Sequence, residues 1–372
     1  MPKIYELFGF QVDDKSEDAE RTRKSTMCPF ASDKCDGGGN RNQTKIKLTD
    51  KDSELLNYFD EGVTTVIPGV CSIVAGNDVW VVCPRRLFAA RNSGNSVPIV
   101  NRGLQPYERD ILLQTELPLD KDIGVWSEVF VKQQVEDAEI NYHFDYVVTP
   151  LVDASLRIFL HDLGLIGGEL EKEIKSFLKH MRKRGYYSRG KGDISDTVIK
   201  LPDLRKPYIF EVMTASTSGS DTENETDIRN AFRNAILGRE HESPSINKRQ
   251  VWGRMVTQLF AKTALANAWA GQTVWIIQDE LLRNIELTTL LKTSKVAKKE
   301  GRDINLVVMS YNERKTGSNA ITIKEFIAGD SGLDFAGDDT FTDILLPKVN
   351  PPKIELARAM LRRSIDAIIN LH

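Results

Sequence analysis

The run Tyr208-Ile209-Phe210-Glu211-Val212-Met213-Thr214 decides how the chain is read. It is apolar, β-branched and aromatic, follows Pro202 and Pro207, and carries a single acid. That composition is the mark of a buried strand. A buried carboxylate is costly unless it is paired or bound to a cation, so Glu211 reads as a working residue. A second strand-like run with one acid lies upstream, Tyr142-His143-Phe144-Asp145-Tyr146-Val147-Val148. Two acids on two buried strands predict a site for a hard cation such as Mg²⁺.

Around these runs the pattern alternates between strand and helix. Gly124 to Lys132 alternates with period two, which puts Glu128, Phe130 and Lys132 on one face of a strand that pairs antiparallel with the Asp145 strand. Helices are expected over Leu156 to Leu165 and Leu170 to Met181, where Leu170, Ile174, Phe177, Leu178 and Met181 form a core stripe. The longest helix is expected from Asn247 to Ala268, and Thr273 to Gln278 and Ile304 to Ser310 read as further strands. A helix is predicted near Leu281 to Leu291, and another from Pro351-Pro352 through Leu371. The order predicts an α/β protein with a mixed central sheet flanked by helices.

Composition bounds the rest. With 372 residues, 41% hydrophobic and 28% charged, the chain can bury a core and form two or three domains. It shows no signal peptide and no apolar run long enough to span a bilayer, so a cytoplasmic protein is expected, with no membrane partner. The net charge of -3 does not advertise nucleic-acid binding, but it averages over surfaces that can differ in sign. The most basic stretch is Lys179 to Lys191, six cations without an acid and with Tyr186 and Tyr187 among them. Arg182, Lys183, Arg184, Arg189 and Lys191 therefore suit a phosphate-backbone clamp, or simply a solvated helix end. Ser216 and Ser218, in the hydroxyl-rich run after Glu211, are candidates to touch phosphate or bases. Arg85-Arg86-Leu87-Phe88-Ala89-Ala90-Arg91 reads as a helix whose arginines either touch phosphate or are solvated. Asp13 to Arg23 reads as a charged exposed loop.

The four cysteines, Cys28, Cys35, Cys71 and Cys83, fall in the first quarter of the chain. Val70 to Ala75 and Val79 to Val82 flank Gly76-Asn77-Asp78, good hairpin chemistry that would bring Cys71 near Cys83. Four thiolates around one tetrahedral ion are the functional reading, and unpaired buried thiols the bland one. A boundary near residue 100 would separate this N-terminal domain (1–100) from the remainder (101–372).

At these residues the chain resembles the NotI-like type II restriction endonucleases of the PD-(D/E)xK superfamily. The resemblance is carried by Cys28-Pro29-Phe30, Cys35, Cys71 and Val82-Cys83-Pro84-Arg85, by Glu128, by Phe144-Asp145-Tyr146, and by Glu211-Val212-Met213-Thr214. Asn247-Lys248-Arg249 and the helix with Met255, Gln258 and Lys262 resemble the family's long helix. The resemblance implies a PD-(D/E)xK core with an N-terminal four-cysteine fold holding iron, where ligand type alone allows zinc. It implies a bacterial homodimer that cuts both strands of double-stranded DNA at a short GC-rich palindrome using Mg²⁺. Asp145 and Glu211 would hold the catalytic metal, with Glu128 as a further acid. Met213 stands where such nucleases carry lysine, and Lys132 is the expected substitute. The alternatives are a DNA-binding protein with a degenerate nuclease core and a repair nuclease of the same fold.

Overall fold

Successive side chains of a strand alternate between faces, so Tyr208, Phe210 and Val212 point to one side of the sheet and Ile209, Glu211 and Met213 to the other. The fold is seen in a computed structural model, which describes residues 1–31, 33–39, 45–49, 52–90, 104–136, 138–187, 195–217, 220–221, 226–247, 249–289, 304–311, 321–329 and 349–371. The strand spans Tyr208–Met213 and is buried at every position. On the first side it packs with Tyr107, Ile111 and Leu112 of the helix Pro106–Gln114. On the second, Ile209 joins a core with Leu265 and Ala266, and Met213 joins Val251 and Met255, all four from the helix Arg249–Ala268.

Among the described residues the central sheet has eight strands. Its order is Ile321–Gly329, Ile304–Tyr311, Gln272–Gln278, Tyr208–Met213, Ala138–Ser155, Ile123–Val135 and Ala367–Ile369, with Val198–Pro202 paired to the far part of Ala138–Ser155. Tyr208–Met213, Gln272–Gln278 and Ile304–Tyr311 run parallel, and the other pairings are antiparallel. The expected α/β architecture, a mixed sheet flanked by helices, is present. Parallel neighbours need a crossover, supplied by the helices Arg249–Ala268 and Asp279–Thr288. The first of these lays its side chains over the Glu211 face.

The long hairpin Ile123–Val135 and Ala138–Ser155 has one irregularity. Phe144 pairs with Val129 and Tyr146 with Ser127, but the ladder skips Asp145 and Glu128 between them. Glu128 sits there at φ +54°, left-handed backbone that a residue with a Cβ rarely adopts.

Three segments depart from the sequence reading. Asp13 to Arg23 is not a loop: Ser16 caps a helix, Glu17–Lys24, whose first turn holds Glu17, Asp18 and Glu20 and whose last holds Arg21, Arg23 and Lys24. Its charges are sorted as the helix dipole favours. The helix expected from Arg85 to Arg91 is only Pro84–Leu87, and Arg85 and Arg86 are buried in ion pairs, not offered to phosphate. The C-terminal helix ends at Leu361, and Ala367–Ile369 becomes the edge strand beside Ile123 to Val125. No helix among the described residues is long and apolar enough to cross a membrane.

The N-terminal sheet, containing Lys3–Leu7 and the hairpin Val70–Ala75 with Asp78–Val81, is tied to the central one by charge. Glu6 is fully buried and accepts from Arg86 Nη2 at 3.1 Å, Arg86 Nε at 3.2 Å, Ser72 Oγ at 2.8 Å and Tyr311 Oη at 2.5 Å. Removing one member of such a pair strands the other's charge. Glu6→Ala is therefore expected to cost about 3–5 kcal/mol in urea unfolding, and the double replacement Glu6→Leu with Arg86→Met to recover much of that loss.

Candidate active site

Asp145 and Glu211 come from adjacent antiparallel strands, placed side by side by the pairing of Tyr146 with Phe210. With His143 and Met213 they line a cavity of about 440 Å³. The facing wall is one side of the helix Arg249–Ala268, where Thr257, Gln258, Ala261 and Lys262 recur with helical spacing.

Lys262 makes the decisive contact. Its Nζ lies 2.5 Å from Glu211 Oε2, and the two side chains are almost wholly buried. The other carboxylate oxygen, Glu211 Oε1, is buried with no hydrogen-bond partner among the described residues. Asp145 Oδ2 accepts from the Val212 backbone N–H at 2.9 Å, which fixes its orientation beside Glu211. Burial pushes the Glu211 carboxyl up to about 8, opposed by the Lys262 charge and reinforced by that of Asp145. Lys262 and the Asp145 backbone offset part of the carboxylate's desolvation, and burial still outweighs them.

A divalent cation between Asp145 and Glu211 would satisfy Glu211 Oε1. Mg²⁺ is commonly bound by one or two carboxylates, with water and substrate phosphate filling the remaining positions, and the two acids fit this pattern. No group of three or more His, Cys, Asp or Glu side chains among the described residues could hold a metal ion on its own.

The other candidates scatter. Glu128 is not among the residues lining the cavity: it contacts His143 Nε2 at 2.6 Å and lies 3.5 Å from Arg85 Nη2. Lys132 is exposed, paired with Glu139 at 3.0 Å and not among the residues lining the cavity. Met213 is buried in the cavity floor against Val251 and Met255, where a thioether closes the core. Ser216 pairs with Asn247 in a two-residue ladder that returns the chain to the long helix, and it does not line the cavity.

Of the basic stretch, Arg182 and Lys183 end the helix Gly167–Lys183, and Arg184 Nε donates to the Arg362 carbonyl at 2.7 Å. Tyr186 accepts from Trp126 Nε1 and Tyr187 donates to the Leu178 carbonyl, so both tyrosines brace the fold. None of these residues lines the cavity. Arg189, Lys191 and Ser218 lie outside the described residues.

Cys28, Cys71 and Cys83 share one buried cluster with Cys35 against it, and all four are free thiols. Cys71 and Cys83 meet through the hairpin, as Cys83 N–H donates to the Cys71 carbonyl at 3.3 Å. Burial raises all four thiols. The charge of Cys83 raises Cys35 and Cys71 further. Gly38 lets the loop approach: a Cβ there would stand 3.2 Å from Cys83 Sγ and 2.7 Å from Pro84 Cδ.

No protein-family model matches the chain, and no curated protein is significantly similar to it.

The Glu211 shift has a measurable sign. Its pKa rises from an ordinary 4.5 to about 8. Between those values the unfolded chain has lost the proton that the folded one keeps, so stability falls as pH rises. In EDTA, the wild type is expected to lose up to about 1.4 kcal/mol per pH unit more than Glu211→Gln across pH 5 to 8. Urea unfolding at intervals of one pH unit measures the two slopes, and equal slopes would contradict the shift.

Proposed function

We propose that the protein is a metal-dependent phosphodiester hydrolase acting on double-stranded DNA, with the character of a type II restriction endonuclease. The observation that carries this reading is the Lys262–Glu211 contact beside Asp145 in an open cavity. Two acids and a lysine on adjoining elements are the chemical set that a PD-(D/E)xK site needs, and here the lysine comes from the helix.

Asp145 and Glu211 would hold Mg²⁺, which when bound polarises the scissile phosphate and acidifies an attached water. Lys262 donates to Glu211 Oε2 and keeps a positive charge where the phosphate becomes more negative during attack. The Val212 N–H holds Asp145 in place, so neither acid has to reorganise on binding. Met213 contributes no donor and seals the floor. The non-cleaving alternative drew its strength from Met213, and Lys262 supplies the cation whose absence that alternative assumed. The resemblance to the NotI-like endonucleases implies, further, a homodimer cutting both strands of a short GC-rich palindrome.

Cys28, Cys35, Cys71 and Cys83 would supply the ligands of a structural iron or zinc ion: as they stand they are not grouped as a metal-binding set, but three share one buried cluster with the fourth against it, and a cation drawing them together would relieve the cost of charging them.

Unmethylated phage and GC-rich genomic DNA should give discrete fragments with Mg²⁺ and none with EDTA. Asp145→Ala and Glu211→Ala should abolish cutting, Lys262→Ala should slow it about 10²–10³-fold, and Lys132→Ala should leave it unchanged. Intact DNA in every arm with the wild type would reject the nuclease. Separately, elemental analysis of the purified protein is expected to find one iron or zinc per chain, lost in Cys71→Ser; a metal-free wild type would rule out the second site.

A further inference from the structure

We infer that His143 contacts the substrate, gripping a phosphate oxygen of the strand being cut next to the scissile position, with Glu128 and Phe130 as its positioning residues. The inference rests on the nuclease reading and adds to it a residue outside the acid pair and lysine.

His143 stands two residues before Asp145 on the same strand, so both side chains project from one face, and both line the cavity. Two residues of strand cover about 6.8 Å, which sets the imidazole beside the acids rather than between them. Its orientation is fixed twice. Glu128 Oε2 lies 2.6 Å from Nε2, and the Phe130 ring stacks on the imidazole with centroids 4.1 Å apart and planes 10° apart. Phe130 is the cross-strand partner of His143, so the stack is built into the register.

The support runs deeper than the pair. Glu128 is itself held by Arg85, 3.5 Å away, and Arg85 is buried, donating to Tyr146 Oη at 2.8 Å and Asp36 Oδ2 at 3.2 Å. Glu128 takes up its left-handed backbone at the one place where the ladder is interrupted. The result is an imidazole oriented at the edge of a polar cavity, with a second ring nitrogen, Nδ1, that has no hydrogen-bond partner among the described residues. Such preorganisation of a half-exposed side chain has no use in core packing, since Phe130 is itself 41% exposed. With Nε2–H donating to Glu128, Nδ1 donates as well only when the ring is an imidazolium, a cation beside the Glu128 carboxylate that suits a ligand bringing oxygen acceptors in a row, as a nucleic-acid backbone does.

The test is a methylphosphonate scan. Duplexes carrying the mapped site, each with one phosphate replaced, are bound with Ca²⁺ in place of Mg²⁺ by the wild type and by His143→Ala, Glu128→Gln and Phe130→Ala. One replacement beside the scissile phosphate is expected to weaken the wild type roughly ten- to hundredfold and to leave His143→Ala, already weakened by a similar factor, unaffected. Glu128→Gln and Phe130→Ala should lose part of that sensitivity, with Kd rising while the single-turnover rate at saturation holds and the melting temperature stays within a few degrees. A His143→Ala protein that keeps the wild-type sensitivity at every phosphate overturns the inference and leaves the nuclease standing. A wild type that neither binds nor cuts any duplex overturns both.

Discussion

The site depends on one interaction, the buried ion pair between Glu211 and Lys262. Alone in the sheet, a carboxylate at position 211 would be costly enough to stay protonated or to disfavour the fold. Lys262 offsets part of that cost through one oxygen and leaves the other without a partner. The pair is therefore electrostatically incomplete among the described residues, and both its members are among the residues lining the cavity. A fully satisfied pair would be a structural feature; on the proposed reading, a cation completes this one.

Holding the pair requires the strands and helix to be placed closely. Tyr208–Met213 and Gln272–Gln278 pair in register from Tyr208 with Gln272 to Met213 with Ile277. That register begins where Gln272 N–H donates to the Pro207 carbonyl at 3.0 Å. Gly271 makes the approach possible, because a Cβ there would lie 2.2 Å from the same carbonyl oxygen. The crossover helix between the two strands is then bound to pass over the Glu211 face, and Lys262 is the position on it that reaches the carboxylate. On the other side of the hairpin, Arg85 connects the cysteine-bearing segment to the central sheet through Tyr146 and Glu128, while Arg86 pairs with Glu6 of the N-terminal sheet, which Tyr311 of the central sheet also contacts. The residues beside the thiol cluster and those beside Asp145 thus share a single set of charges.

Much of this was legible in the sequence, and the reason is periodicity. The two acid-bearing strands, the hairpin carrying Cys71 and Cys83, the long helix and the parallel strands all carry apolar patterns longer than the turns that bound them. What failed was of two kinds. Charge-rich segments were judged by composition, so the helix Glu17–Lys24 was taken for a loop although the order of its charges, not their number, is the informative feature. Arg85 and Arg86 were read as candidate phosphate contacts, because nothing local announces that Glu6, some 80 positions away, buries a carboxylate to meet one of them. The strand Ile321–Gly329 was missed for a related reason: as an edge strand with only its ends buried, it lacks the continuous apolar run that marked its neighbours.

Lys262 is the instructive miss, since it lay in plain view on the long helix. A motif defined by spacing along one strand looks two residues beyond Glu211 and finds Met213, and Lys132 was then sought on the neighbouring strand. The chemistry asks only for a cation within hydrogen-bond reach of the carboxylate and the phosphate, and does not specify which element delivers it. A helix crossing the strand face can deliver one as well as the strand can, provided that its axis is fixed and its neighbours are small. Ala261, Ala264 and Ala266 around Lys262 meet the second condition, and packing of Leu265 and Ala266 against the sheet core meets the first. A lysine almost wholly buried among alanines, on the crossover that follows an acid-bearing strand, was the signal available: it has no solvent to face and must have a partner.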